Sequence, residues 1–267
     1  MTKLKLCITL FLIVSLQGFS QENQDINEYD ENGNKHGVWI KKYSNGEIQY
    51  KGEFRHGKPA GELKRYFPNG ELMAIMNHRG EGEVYATLFN KEGKKRAEGK
   101  YIDKERDSTW IFYGTENNVI LKENYNKGEK VGKSVRFYLN GDTSQIAHYR
   151  DGEKHGMFKQ FFRNGNTKLL ARYQNDELDG NVTIFSPNGY KEIEGLYRDN
   201  LRENKWIYYE NTTDTARVVE YKNGEPLNKD SIELQETREI IRLENNEDKF
   251  GDPRDELTPP RRRQRRH

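Results

Sequence analysis

Five arginines crowd the last seven residues: Arg261, Arg262, Arg263, Arg265 and Arg266. Set behind Pro259 and Pro260, they form a cationic tail suited to anionic lipid headgroups or phosphates through salt-sensitive contacts. The competing reading is a solvated tail without a partner. Elsewhere the residue types that carry catalysis are sparse. The only cysteine, Cys7, lies in an apolar N-terminal run. Six histidines are scattered along the chain, and none stands at zinc-ligand spacing. Gly80-Glu81-Gly82 reads as a turn rather than a phosphate loop, and no nucleophile elbow occurs. The sequence therefore nominates no catalytic, cofactor-binding or metal-binding residue.

Whatever chemistry there is must be positioned by a repeating element. Gly37-Val38-Trp39-Ile40-Lys41-Lys42-Tyr43-Ser44-Asn45-Gly46 returns in outline at Gly132, Gly156 and Gly180. Anchored on the residue before each first strand, eight units begin at Gly37, Gly61, Val84, Ser108, Gly132, Gly156, Gly180 and Asn204. Their spacings are 24, 23, 24, 24, 24, 24 and 24 residues. Such a period is the mark of a repeat architecture. All three tryptophans, Trp39, Trp110 and Trp206, fall two residues after an anchor. Tyr125, Tyr149, Tyr173, Tyr197 and Tyr221 fall seventeen residues after one, in a slot shared with Phe54, His78 and Tyr101. These rings are candidates for a sticky stripe that would take a protein edge or a glycan. The reading that ranks above it is a thin structural core.

Each unit reads as one hairpin. A first strand of alternating residues ends at Asn-Gly, which predicts a type I′ turn with both central residues at positive φ. A second strand follows, and a second glycine turn leads to the next unit. Gly114–Asn118 and Glu210–Asp214 lack Asn-Gly, which predicts longer or reshaped loops there. One hairpin is marginal in water, so the units must stack edge to edge. The predicted fold is all-β: an elongated repeat sheet of about eight stacked antiparallel hairpins, on the order of 75 Å long at ~4.8 Å per strand. In such an array residues distant in sequence stay distant in space. His36 and His155, five units apart, would be separated by roughly 48 Å and cannot share a metal.

The two ends differ from the body. Lys3 and Lys5 precede an apolar run, Leu6 to Leu16, and Gly18 and Ser20 supply small residues before Gln21. Residues 1–20 therefore read as a signal peptide cut near Ser20-Gln21, giving a periplasmic or secreted product without a transmembrane segment. Cleavage would remove the only cysteine, and with it disulfide and thiolate chemistry. Residues 21–29 read as a polar lead-in and 30–224 as repeats. Residues 225–251 read as a cap or short helix, and 252–267 as a disordered basic tail. The whole chain has a formal charge of +2. Removing the two lysines and then the five tail arginines leaves about -5 on 21–260. With a mean hydropathy of -1.11, yet 16 Tyr and 12 Phe, the body suits a thin sheet rather than a thick core.

The unit Gly-x-Trp-x-x-Tyr-Tyr-x-Asn-Gly, followed by Tyr-x-x-Gly, resembles the bacterial variant of the MORN repeat. Chains of this type are often labelled YwqK-type antitoxin components. The resemblance covers about residues 30 to 224. It implies an elongated hairpin sheet that binds a protein or a cell-envelope component, and it implies no catalytic residue or cofactor. An antitoxin-like inhibitor of a partner toxin is the alternative, though an exported chain fits an intracellular antitoxin poorly. An envelope hydrolase ranks last, for want of converging groups. An export address favours anionic lipid over nucleic acid as the partner of the arginine tail.

Overall fold

The computed structural model describes residues 26–209 and 216–227. Among them there is no helix, and twenty-one strands form the fold. They are β1 (Glu28–Tyr29), β2 (Lys35–Lys42), β3 (Ile48–Arg55), β4 (Lys58–Tyr66), β5 (Leu72–Gly80), β6 (Glu83–Phe89) and β7 (Lys95–Ile102). Next come β8 (Glu105–Tyr113), β9 (Val119–Asn126), β10 (Glu129–Lys130), β11 (Gly132–Phe137), β12 (Thr143–Arg150), β13 (Glu153–Lys154) and β14 (Gly156–Phe161). The last are β15 (Thr167–Gln174), β16 (Glu177–Leu178), β17 (Gly180–Phe185), β18 (Lys191–Arg198), β19 (Leu201–Tyr209), β20 (Ala216–Lys222) and β21 (Glu225–Pro226). Pairing follows chain order and is antiparallel throughout these strands, an elongated open meander of hairpins. The segments expected to hold the signal peptide and the arginine tail lie outside the described residues, as does all but the start of the expected C-terminal cap or short helix, where Glu225–Pro226 forms β21.

The Asn-Gly turn differs from the sequence expectation. At Asn-Gly only the glycine takes a positive φ (Gly46, 90°; Gly165, 85°), and Asn45 and Asn164 do not. Gly46 N donates to Tyr43 O and Tyr43 N to Glu47 O, and the register slips between Lys41 and Lys42. That is a type I turn closed by a glycine bulge, not type I′. The type I′ turns join one unit to the next, where both central residues are left-handed: His56 and Gly57 at 47° and 76°, Asp103 and Lys104 at 49° and 72°. The expectation of a longer loop in unit four is also corrected. Asn117, at φ 59°, stands in for the glycine, and Gly114 and Asn118 keep the same hydrogen bonds as the other turns. Asn tolerates the left-handed region well enough to replace Gly there. The turn of unit eight falls outside the described residues.

Seven of the eight anchors carry a positive φ, including Ser108 at 59° and Asn204 at 60°. Each of those at a junction between units marks a bulge. Gly52 pairs with Leu63 and Glu53 with Ala60, so Gly61 and Glu62 are left over on β4. The same slip occurs opposite Gly99 and Gly195. The exception explains the odd period. At Val84 the ladder runs straight through His78, and the extra residue sits on the other strand, with Gly80 opposite Glu83. That junction is the one spaced 23 residues.

Alternation sorts the side chains onto two unlike faces. One row crosses the sheet as Trp39, Gly52, Leu63, Met76, Ala86 and Gly99, and continues from Trp110 to Val219 in the same slots. It is buried nearly throughout, with Trp110 and Trp206 fully so. Bulky members face small ones across each junction. A Cβ added to Gly99 would lie 2.4 Å from the Trp110 ring, and one on Gly195 2.3 Å from Trp206. Ala147 likewise faces Phe158 within a core cluster that runs to Tyr221, and a second cluster surrounds Trp110.

Candidate binding face

On the buried face the aromatic slots form the core. Trp39, Trp110 and Trp206 lie beside Tyr or Phe rings of the seventeenth-residue slot, as in Trp206 and Tyr197 at 5.0 Å and 86°. Tyr125, Tyr173, Tyr197 and Tyr221 are buried and Tyr149 packs half-buried against them. Each indole has a further task. Trp110 Nε1 donates to Lys100 O and Trp206 Nε1 to Leu196 O, both beside a bulge that interrupts the ladder. Trp39 has no preceding unit, and its Nε1 donates to Glu28 O of β1, which caps that edge.

Cations two residues before the anchors cover these rings. The Arg106 guanidinium lies 4.6 Å from the Trp110 ring, and that of Arg202 lies 4.6 Å from Trp206. Lys35, Lys130 and Lys154 do the same over Trp39, Tyr149 and Tyr173. Burying a cation in this way requires partners. Arg106 Nη1 donates to Tyr125 Oη at 3.0 Å, and Tyr125 donates onward to Glu123 at 2.5 Å. Lys130 Nζ completes the group at 2.8 Å from Glu123. Burial, then the charge of Glu123, pushes the Tyr125 phenol well above its ordinary range, so it stays protonated and can donate. The indoles, Arg106, Tyr125 and Glu123 of the buried face are thus bonded to one another or to the backbone.

The histidines do not converge on a metal. His36 and His56 do meet, with ring centroids 6.0 Å apart, a contact across one hairpin that spacing alone did not reveal. His56 Nδ1 lies 3.0 Å from Asp30. No group of three or more His, Cys, Asp or Glu side chains placed to hold a metal ion occurs among the described residues.

The opposite face is open. Its central row runs Ile40, Lys51, Lys64, Ile75, Thr87, Glu98, Ile111 and Lys122. It continues through Val135, Ile146, Lys159, Leu170, Thr183, Glu194, Ile207 and Val218. No member is buried. Beside it stand the rings five residues after every anchor but Gly37, including Phe137, Phe161 and Phe185, half-buried. Toward the C-terminal end the face dips. Asn181, Thr183, Glu194, Leu196, Lys205 and Ile207 help line a depression of about 760 Å³ beside the bulge opposite Gly195. The Lys191 ammonium, then the Tyr209 hydroxyl, holds the Glu194 carboxyl below its ordinary range. Sequence reasoning missed this face, because its alternating polar and aliphatic residues look like an ordinary solvent side until neighbouring units are aligned.

The fold and its faces define a repeat-built hairpin sheet with one buried side and one exposed side. The sequence profile of the MORN repeat variant matches residues 35–56 and 60–79, which are two MORN-variant repeats spanning β2 to β5. Their strand, turn and strand geometry recurs through β20. MORN repeats are in general protein- or membrane-binding modules. The comparison with curated proteins found no match. Among solved structures, one titled as a GtfA/B complex bound to UDP and GlcNAc aligns at 10% identity and a TM-score of 0.20. The alignment spans 45% of this chain and 23% of that one, and a likeness so slight carries no argument. No described helix is long and apolar enough to cross a membrane.

Proposed function

We propose that this chain is an exported, non-catalytic binding module and that its ligand lies on the open face of the sheet. The observation that carries the reading is the contrast between the two central rows. One is buried nearly throughout, while the other runs the length of the sheet without a buried residue. Repeats that stack in one dimension suit extended partners better than enclosed substrates. Export rests on the sequence of residues 1–20. An antitoxin-like role would use the same face but asks for a chain that stays in the cytoplasm. The test is a photo-crosslinking side chain placed at Ile146, on the open face, or at Ser44, on a hairpin tip. Adducts to one macromolecule are expected from Ile146 only, and in the envelope or medium fraction. Adducts from neither site, or from the tip alone, would remove the open-face reading. Adducts confined to the cytosol would remove export.

A further inference from the structure

We infer that the middle of the open face, across β9, β11, β12, β14 and β15, takes an acidic polypeptide segment laid in extended form across the strands. This rests on the open face being the binding surface. Four cations stand there together: Lys122, Lys133, Lys159 and Arg172. The register places them with Val135, Ile146, His148, Met157 and Leu170; within these five strands no Asp or Glu lies on this face, and Glu129 and Glu153 of β10 and β13 stand at its margin opposite Asn126 and Arg150. On either side several lysines of the same face are ion-paired: Lys64 with Glu62 at 3.0 Å, Lys95 with Glu98 at 3.1 Å and Lys191 with Glu194 at 2.7 Å. The concentration of unpaired positive charge in a mildly acidic body calls for a carboxylate-bearing partner.

Spacing favours an extended chain. Lys122 and Lys159 are three strands apart, as are Lys133 and Arg172, which is about 14 Å at ~4.8 Å per strand. Phe137 and Phe161 are two strands apart, about 10 Å. A peptide advancing ~3.3 Å per residue brings acids four positions apart, which share one side of an extended chain, onto the cations. Lys122 Nζ already sits 5.8 Å from the Phe137 ring, so charge and ring are offered together. The backbone is not the attraction. Asn124 Nδ2 donates to Lys133 O and His148 Nδ1 to Met157 O, filling carbonyls near the bulges. The patch lies far from either sheet edge, which excludes strand addition. A bilayer is a poorer fit, because the rings are sunk between strands and Met157 alone among the apolar side chains is exposed.

Fluorescence anisotropy on the purified chain tests this, with a labelled short peptide alternating glutamate with phenylalanine and proline. Binding is expected, with steep salt dependence, and a glutamine counterpart is expected not to bind. Lys122→Glu with Lys159→Glu should weaken affinity about tenfold. Lys51→Glu with Lys205→Glu makes the same charge change on the same face outside the patch, and should alter affinity less than about twofold. Equal losses from both pairs, no binding, or tighter binding of anionic vesicles or single-stranded oligonucleotide would each overturn the inference. If crosslinks from Ile146 persist while the peptide does not bind, this inference fails alone. If the crosslinks are absent too, the open-face reading fails with it.

Discussion

His78 holds the one seventeenth-residue slot without a Tyr or Phe, and its backbone accounts for the difference. The ladder through His78 and Val84 has no anchor bulge, so this slot is set differently from its counterparts. Burial lowers the imidazole pKa from 6.5, and Nε2 has no partner. The folded state therefore favours the neutral ring, while the unfolded chain takes up a proton near 6.5. The sign follows from that difference: the contribution is intact above 6.5 and is lost as pH falls toward the lower folded value. Thermal midpoints should drop between about pH 7 and pH 5, and His78→Tyr should flatten part of that drop. Parallel pH profiles for the two proteins would show that His78 does not carry the effect. Glu123 is the other residue at odds with its slot, which elsewhere holds Gly, Met, Ala or Val. Its carboxylate is retained where it serves Arg106, Tyr125 and Lys130, and its small partner across the junction is Ser134.

At the scale of the hairpin, the unit of stability is the pair formed across a junction. Trp206 fills the space that Gly195 leaves, and its indole N–H meets a carbonyl beside the bulge. Trp206→Ala should cost ~3–5 kcal/mol by cavity formation. Gly195→Ala should cost ~1–3 kcal/mol by overpacking against the ring. The two positions are coupled, so Gly195→Ala should cost less than half as much in a Trp206→Phe background. Additive losses in denaturant unfolding would refute the pairing. The hairpins themselves could be read from sequence, because turn residues recur at a fixed offset and rings alternate between them. The geometry of the turns could not. Asn-Gly serves type I′ and bulged type I turns alike, and here Asn45, Asn69 and Asn164 use their side-chain amides to bond a carbonyl of the next unit's turn. The bulges were equally hidden, since a left-handed anchor reads only as a small residue until the register is known. Gly52, Gly99 and Gly195 look like weak strand positions until the side chain across the junction is seen.

Across the whole molecule, the complementary row makes some units exchangeable and others not. Excising 156–179 joins His155 to Gly180, anchor for anchor, and removes 24 residues. Ala147 would then face Val182, as Ala171 does now, and Ile146 would take Leu170's place beside Thr183. Excising 132–155 removes the same length but puts Phe158 where Ser134 now sits, against the buried carboxylate of Glu123. It also sets Lys159 directly opposite Lys122, a like-charge pair on one face. Nearest-neighbour energetics predict that the first shortened chain unfolds cooperatively, with a modestly lower midpoint, and that the second is severely destabilised. Circular dichroism melts of the two decide it, and equal stability would show that length rather than slot complementarity governs the array. The first chain also lacks Lys159 and Arg172 while keeping Lys122 and Lys133. It should therefore remain folded yet bind the acidic peptide more weakly, which separates the roles of the two faces: one holds the repeats together, and the other is free to recognise.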